Sequence, residues 1–434
     1  MAIESKETKR IDVHHITRVE GHGNIVVDVQ EGVLKQCDLQ IVEAPRFFEA
    51  MLRGQPYEQA SPLSSRICGI CAVTHATTSL RATEKALGVE PSEQTTLLRK
   101  LNLHGEMLDS HILHIYMLVA PDLLGAGSVI PLARKSPEVV MRALRMKKVA
   151  GDLCAVICGR HTHPIAMAVG GFNHFPTSEE LSKLLERLEA MRTDLDATVD
   201  LFQNLQMPDF ERETEYIALS KEDEYSFLDG VITSSDGGSW PVEQYRQVAN
   251  EHMVVHSTAK HTRHQRPSYM VGALARFKLN YEQLQPKARI AAETLGLDPL
   301  STNPYMNTIA QLVETVHCTE EAILIVTQLL ERGIKQEEPV SPVRSSGEGV
   351  GACEAPRGTL YHHYVIDDGL ITDANCIIPT AQNLANIEAD MRALVSQRIH
   401  CPPDEITFAL EMLVRAYDPC ISCSTHILNV RFVL

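Results

Sequence analysis

Apolar residues recur at helical spacing along most of the chain, in segments too long and too regular for strands. The pattern predicts eight long helices, near residues 69–88, 92–119, 133–158, 178–206, 281–295, 308–333, 380–397 and 404–416. Thr177 and Glu180 are spaced as a capping box that would open the fourth of these helices. Gly- and Pro-rich breaks separate the helices at 121–131, 164–177, 297–304 and 337–358. The predicted fold is therefore mainly helical.

Two segments instead have the composition of β-strands and predict hairpins. Residues 24–42 contain two β-rich runs around Glu31-Gly32, and residues 359–372 contain two more around Asp368-Gly369. These segments predict small sheets near both ends of the chain.

Length and composition limit the classes of protein that fit. The chain has 434 residues, which suggests one large domain or two fused ones, and we expect a single domain over 1–434. No apolar run reaches the roughly 18 residues that span a bilayer, and the charged N-terminus does not resemble a secretory signal. The net charge of −16 argues against a nucleic-acid partner. We expect a cytoplasmic protein without a transmembrane segment.

The cysteines carry the most specific signal in the sequence. Eleven are present, an odd number spread over the whole length, which does not fit the disulfide framework of a small secreted protein. Two Cys-x-x-Cys pairs occur, within RICGICAVTH at 66–75 and DPCISCSTH at 418–426, and each is followed by a histidine. Chance predicts about 0.3 such pairs in a chain with this many cysteines, so two pairs with this arrangement indicate a metal site.

Spacing alone leaves the kind of metal site open. Four thiolates bind Zn²⁺ or another soft-ligand metal, including nickel and iron clusters. In small zinc modules the two pairs lie close in sequence, whereas here about 350 residues separate them. A buried functional site between distant helices is therefore somewhat favoured over a structural zinc site, which remains an alternative.

The two cysteine motifs together resemble the paired signatures of nickel–iron hydrogenase large subunits. Further segments resemble the same family in the same order, and they are ITRVEGH at 16–22, RFFE at 46–49, SHILHIY at 110–116, His163-Pro164 with Gly170-Gly171, APRG at 355–358 and IPTAQN at 378–383. The resemblance covers nearly the whole chain. It implies the fold of that family, with a helical core and the metal site between the N- and C-terminal motifs.

The resemblance implies a nickel–iron centre whose iron carries CO and cyanide. By position, Cys68 and Cys420 would be terminal nickel ligands, and Cys71 and Cys423 would bridge to the iron. Electron-rich thiolates allow nickel to change oxidation state while H₂ is split or formed. The implied activity is reversible H₂ oxidation.

Roles for residues around the metals follow from the same resemblance. Glu20 matches the proton-gate glutamate, Arg357 an arginine above the metals, and Asp418 the carboxylate that orients that arginine. The positions expected to support the metal ligands are His75, Pro356, Thr380 and Ser110.

A second metal site is also implied. Glu49 and His426 match ligands of a buried Mg²⁺-type ion, and Cys376 matches the residue that contributes its backbone carbonyl. We expect the thiol of Cys376 to be inert.

Ser110 departs from many uptake enzymes of the family, which have aspartate at this position. With the segments 46–49 and 420–426, it makes the chain resemble the cytosolic, multimeric, bidirectional branch, whose members couple to NAD(P), sulfur or a heterodisulfide-reductase system. The sulfhydrogenase-like enzymes are the nearest type. Quinone-site subunits of respiratory complex I, which share this descent without the cysteines, are a weaker alternative because all four cysteines are present here.

Several partners are expected on the same basis. The chain has no multi-cysteine run for an iron–sulfur cluster and no dinucleotide-binding motif. Electrons would pass to an iron–sulfur small subunit, then to flavin (diaphorase) or heterodisulfide-reductase-type subunits. The family removes a C-terminal peptide after the terminal histidine, so we expect a maturation endopeptidase to remove residues 427–434.

One histidine cluster remains outside the resemblance. His252, His256, His261 and His264 lie close in sequence, but no His-Glu-x-x-His pattern accompanies them. On sequence alone they are not expected to be metal ligands.

Overall fold

The computed structural model describes residues 8–425 of the chain. Its helices are α1 (Phe48–Leu52), α2 (Ala60–Ser64), α3 (Ala72–Leu87), α4 (Glu93–Leu113), α5 (Ala120–Leu123), α6 (Val129–Lys135), α7 (Pro137–Cys158), α8 (Ser178–Gln203), α9 (Tyr245–Val248), α10 (Ala273–Leu279), α11 (Pro286–Thr294), α12 (Met306–Arg332), α13 (Pro379–Gln397), α14 (Pro403–Ala416) and α15 (Ile421–Ser424). Its strands are β1 (Lys9–Val13), β2 (Gly23–Gln30), β3 (Val33–Ile41), β4 (Met167–Ala168), β5 (Gly171–Phe172), β6 (Glu215–Ser220), β7 (Val231–Ser234), β8 (Ser239–Trp240), β9 (Asn250–His252), β10 (His261–Arg263), β11 (Tyr269–Met270), β12 (Gly347–Ala355), β13 (Gly358–Asp367) and β14 (Leu370–Ile377).

The eight predicted helices are confirmed, with two changes that prolines explain. The third is divided into α6 and α7, and the fifth begins only at α11 after a short 3-10 turn. Pro137 and Pro286 each occupy the first turn of the later helix, where a missing N–H costs nothing. The capping box is also confirmed, since the hydroxyl of Thr177 accepts from the N–H of Glu180 at 3.2 Å and the carboxylate of Glu180 accepts from the N–H of Thr177.

The helical core is built around α4 and α12. Helix α4 packs against α7 and α12, and α12 also packs against α8 and α11. Beyond Leu113, α4 continues into a π-helical segment, His114–Val119, in which both ring nitrogens of His114 have partners on other elements. A wider turn of this kind re-aims side chains without ending the helix.

The N-terminal hairpin is confirmed as β2 and β3, with Glu31 and Gly32 both at positive φ in the turn, as a type I′ connection requires. Strand β1 adds a third strand on the free side of β2. The sheet packs against α13.

The C-terminal hairpin is confirmed as β13 and β14, but the prediction of a break over 337–358 is wrong for its last residues. These residues form β12, which pairs with β13 along its whole length. A Cβ atom at Gly347, Gly349 or Gly351 would lie 2.1–2.3 Å from a backbone oxygen of α3. The glycines therefore allow the strand to lie directly on α3, which is the helix that follows Cys71.

The small sheets predicted near both ends are present, but the structure also contains sheets that were not predicted. Strands β6, β7, β8 and β11 form a four-stranded sheet in the middle of the chain, and β9 pairs with β10. These strands have only two to six residues, too few for a clear alternating pattern. Among residues 8–425, no helix is long and apolar enough to cross a membrane.

Candidate metal centre

The four motif cysteines meet in one buried cluster. One ligand atom of each of Cys68, Cys71, Cys420 and Cys423 lies within 4.8 Å of the others, and each residue is at most 5% exposed. The sulfurs of Cys68 and Cys420 are 3.5 Å apart, and those of Cys420 and Cys423 lie within bonding distance. Four soft donors converging in a dry site fit a soft or borderline metal.

The first pair is positioned by the start of α3. Cys68 follows a 3-10 turn, and Cys71 is the residue that immediately precedes the helix. The backbone N–H groups of Ile70 and Cys71 point at the sulfur of Cys68, at 3.3 and 3.2 Å. Hydrogen bonding with Cys71 and the charge of Arg357 lower the pKa of Cys68, although burial opposes this. The environment therefore favours a thiolate.

The second pair is held by backbone contacts to the N-terminal region. The N–H of Cys420 donates to the hydroxyl of Thr380 at 2.9 Å, and the N–H of Ile421 donates to the carbonyl of Glu20 at 3.0 Å. The N–H of Arg46 donates to the carbonyl of Thr425. The contacts with Glu20 and Arg46 bring residues about 380–400 positions apart in sequence into one site.

An enclosed cavity adjoins the cluster. It is lined by Cys71, His75, Ala355, Arg357, Leu360, Ile378, Pro379, Thr380, Cys420 and Cys423. Arg357 donates from Nη2 to Oδ1 of Asp418 at 2.9 Å and from Nε to the carbonyl of the same residue at 2.6 Å. Burial alone would lower the pKa of Arg357, but Asp418 and the nearby thiols raise it. Its Nη1 is buried and has no hydrogen-bond partner among residues 8–425, which leaves a cationic donor for a group bound in the cavity.

Glu20 lies beside the second pair. Its Oε2 accepts from the N–H of Ser422 at 3.1 Å, one residue from Cys423. Gly21, at φ 85°, is required here because an added Cβ would lie 2.7 Å from the Cβ of Ile421. The segment from Glu20 to Gly21 therefore packs directly on the loop that carries the last two cysteines.

Of the remaining predicted residues, His75 lines this cavity, whereas Pro356 and Ser110 are not in its lining. The Nδ1 of His75 lies 3.1 Å from Nε2 of His362. Pro356 is next to Arg357, and its carbonyl accepts from Arg276. Ser110 is fully buried on α4, and its hydroxyl has no partner in the described part of the chain.

The predicted Mg²⁺ ligands are partly described. Oε1 of Glu49 accepts from the N–H of Cys376 at 2.8 Å, and burial raises the pKa of Glu49. Glu49 borders a charged cavity of about 580 Å³ that Lys260 and Glu251 also line. Burial raises the pKa of the Cys376 thiol well above its usual value. His426 lies outside the described residues.

Two buried charged groups were missed by the sequence analysis. Glu106 on α4 accepts from the N–H groups of Val73 and Thr74, at 2.6 and 2.9 Å, and so holds the helix start that carries Cys71. Burial raises the pKa of Glu106 to about 8, although these donors oppose the shift. The only signal in the sequence was a carboxylate on the apolar face of a predicted helix.

The second missed group is an ion network beneath Arg357. Arg276 is fully buried and donates to both oxygens of Glu314, at 2.7 Å each, and to Glu354 at 3.0 Å. It also donates to the carbonyls of Ala355 and Pro356, at 2.8 and 3.1 Å. No sequence motif marks Arg276, because its partners lie on α12, on β12 and in the turn that follows β12.

The sequence profile of nickel-dependent hydrogenases matches residues 46–136 and 234–426, which include all four cysteines. The chain belongs to the nickel-dependent hydrogenase family. The alpha subunit of sulfhydrogenase 1 of Pyrococcus furiosus is 34% identical over 97% of this chain and 98% of its own. The alpha subunit of sulfhydrogenase 2 from the same organism is 34% identical over 97% and 100%.

A solved structure agrees with this assignment. An NAD⁺-reducing [NiFe]-hydrogenase in the H₂-reduced state matches with a TM-score of 0.87 and 28% identity, over 96% of this chain and 99% of that chain. These matches confirm the predicted large-subunit fold and the predicted function as the catalytic subunit of a nickel–iron hydrogenase. Neither a structural zinc protein nor a complex-I-like subunit is favoured.

Proposed function

We propose that Cys68, Cys71, Cys420 and Cys423 hold a nickel–iron centre at which this hydrogenase subunit converts H₂ to protons and electrons, and the reverse. The observation that carries the proposal is the convergence of four buried sulfur donors within 4.8 Å. In the proposed arrangement Cys68 and Cys420 would hold nickel, and Cys71 and Cys423 would hold both nickel and an iron that carries CO and cyanide. When bound, the group supplies the redox chemistry that cleaves H₂ heterolytically.

The residues around the centre would control charge and diatomic ligands. Arg357 places a fixed positive charge over the thiolates, and Asp418 fixes its guanidinium by two hydrogen bonds. Thr380 and Pro356 would contact the cyanide ligands, and His75 would hydrogen-bond a bridging thiolate. Because Ser110 is neutral, Asp418 would be the group that balances the positive charge of Arg357.

Metal analysis tests the proposal directly. We expect about one nickel and one iron per chain in the active enzyme, with infrared bands in the CO and cyanide stretching regions. Zinc alone, without those bands, would contradict it.

Glu20 would accept and release the proton during turnover. Its carboxylate is half-buried and reaches the backbone of Ser422 next to Cys423. Glu20→Gln keeps the size of the side chain but cannot carry a proton, so we expect H₂/D⁺ exchange to fall by at least ~100-fold. Nickel and iron contents and the infrared bands should not change.

Glu43→Gln is the matched control for this prediction. Glu43 accepts from the hydroxyl of Ser422 at 3.3 Å and from the N–H of His22, so it touches the same loop. We expect this variant to keep most of the exchange activity. Equal losses in the two variants would show that Glu20 acts only by holding the loop.

We further propose a Mg²⁺-type ion bound by Glu49, the backbone carbonyl of Cys376 and His426. The half-buried carboxylate of Glu49, which accepts from the N–H of Cys376, supports this site. Two of these three ligands are oxygen atoms, the kind of donor that Mg²⁺ prefers.

Electrons would leave through other subunits. Within residues 8–425, the four motif cysteines are the only group of three or more cysteines placed to hold a metal. As the direct partner we propose an iron–sulfur small subunit, followed by flavin-containing diaphorase or heterodisulfide-reductase-type subunits and NAD(P) or a related acceptor. The similarity to an NAD⁺-reducing enzyme and to a sulfhydrogenase alpha subunit supports this order. The cytoplasmic location stays a prediction.

Maturation would end with proteolysis after His426. The cleaved peptide, ILNVRFVL at 427–434, lies outside the described residues. We expect the intact mass of the active subunit to correspond to a chain ending at His426. A fully active enzyme that retains residues 427–434 would rule out this step and the endopeptidase that it requires.

A further inference from the structure

A second group of metal-binding side chains lies on a different part of the fold. His252 and His261 are directly opposite each other on the paired strands β9 and β10, and His256 lies in the connection between them. Glu388 faces them from the middle of α13. His252 and His256 are four residues apart but do not lie on one face of a helix, because the segment is a hairpin.

Three of these side chains converge at ligand spacing. One ligand atom of each of His256, His261 and Glu388 lies within 4.8 Å of the others, and Nε2 of His256 is 2.6 Å from Oε1 of Glu388. Two ligands of a tetrahedral zinc ion lie about 3.3 Å apart, given bonds near 2.0 Å. Side-chain shifts of about an ångström would complete the site.

The hydrogen bonding of His261 gives an independent indication of a missing ligand. His261 is 4% exposed, and its Nε2 is buried without a hydrogen-bond partner among the described residues. The Nδ1 of the neighbouring His252 is also buried without a hydrogen-bond partner among the described residues. The two rings lie 6.1 Å apart. Buried polar atoms are nearly always paired, so unpaired nitrogens beside a buried carboxylate indicate a bound cation.

We propose that His256, His261 and Glu388 bind a borderline divalent transition-metal ion of the Zn²⁺ class, with water or His252 as a further ligand. Two imidazoles and one carboxylate suit such an ion and do not suit Mg²⁺ or Ca²⁺, which take oxygen ligands. The ion ties the hairpin of β9 and β10 to α13, and Oε1 of Glu388 also accepts from the N–H of Leu39 in β3. Through Glu388, the site therefore connects the hairpin of β9 and β10, helix α13 and strand β3. The first turn of α13 also carries Thr380.

Cobalt titration of the assembled enzyme tests the site. The nickel–iron-loaded enzyme is dialysed against a chelator and titrated with Co²⁺ in excess Mg²⁺, which saturates any oxygen-ligand site. We expect one Co²⁺ per chain, with visible ligand-field bands, no thiolate-to-cobalt charge-transfer band, and displacement by Zn²⁺. A charge-transfer band would place the Co²⁺ at the cysteines and contradict the proposal, and no binding at millimolar Co²⁺ would overturn it as well.

Substitutions then assign the ligands. His256→Ala should weaken Co²⁺ binding by more than about 100-fold, since even residues that only support a ligand cost up to that much. The side chain of His256 is 25% exposed, so the fold should tolerate its loss, and His261→Gln is a second variant. Circular dichroism and H₂/D⁺ exchange verify that each variant is folded.

His161→Ala is the matched control. His161 lies 3.4 Å from Asp152 in another histidine–carboxylate pair, but its side chain is 60% exposed, and it is not in the three-ligand group. We expect unchanged Co²⁺ binding. Parent-like affinity in folded His256→Ala or His261→Gln, or an equal loss in the control, would refute the assignment.

Discussion

Cys420→Ala will abolish H₂/D⁺ exchange while leaving the helical fold in place. The substitution removes one of four sulfur donors, and the three that remain cannot close a tetrahedral thiolate site. The fold does not depend on this sulfur, because the segment is also held by the N–H groups of Cys420 and Ile421, which an alanine retains. Exchange measured by mass spectrometry, with nickel content and circular dichroism on the same sample, tests this expectation.

Cys353→Ala provides the control for a lost buried thiol. Cys353 lies in β12, is fully buried and donates to the carbonyl of Leu228. We expect this variant to keep its nickel and its exchange activity. Cys420→Ser is also informative, because a hydroxyl is a poor ligand for a soft metal. We expect this variant to lose H₂/D⁺ exchange as Cys420→Ala does. Persistent exchange in Cys420→Ala would refute the role of Cys420 as a nickel ligand.

Arg276→Met will destabilise the protein more than any other single ion-pair substitution that we propose. The change leaves Glu314 and Glu354 buried without their cation, and breaking a buried pair in this way costs about 3–5 kcal/mol. Although burial opposes it, Arg276 lowers the pKa of Glu314 to about 2, so the carboxylate is charged at neutral pH. Unfolding in urea, followed by circular dichroism, measures the loss.

Arg192→Met is a matched control, because the carboxylate that pairs with Arg192 also lies on α12. Arg192 forms a two-pronged pair with Glu320 of α12, at 2.8 and 2.6 Å, but its side chain is 33% exposed. Water can replace the lost partner, so we expect a loss of less than about 1 kcal/mol. Combining Arg276→Met with Glu314→Gln and Glu354→Gln should recover much of the stability. Equal losses in the two arginine variants would contradict the role of burial.

The long helices and the two hairpins could be predicted from the sequence, because the spacing of their apolar residues and their turn residues are local signals. Strand β12 could not be predicted, because its glycines at 347, 349 and 351 are typical of a loop. Their reason, close packing against α3, is visible only in the structure. The short strands between residues 215 and 270 were missed for a similar reason, since their pairing depends on neighbours distant in sequence.

The cysteine cluster could be predicted because its four ligands lie in recognisable motifs. Glu106 and Arg276 could not, since each acts on backbone or carboxylate groups 30 or more residues away. His256 and His261 do not stand out as ligands in the sequence because the partner that brings them together, Glu388, lies more than 100 residues later. Pairing across this distance is a property of the fold and leaves no local pattern.

Because Cys68 and Cys420 are 352 residues apart, the order of synthesis has a bearing on metal capture. At roughly 5–20 residues per second, the ribosome completes the second pair on the order of 20–70 s after the first. The entropy of closing such a loop grows only logarithmically with its length, so the long separation adds little to the free energy of assembly. A nascent chain can therefore offer only two of these four thiols to passing ions until the segment that carries Cys420 and Cys423 has been synthesised.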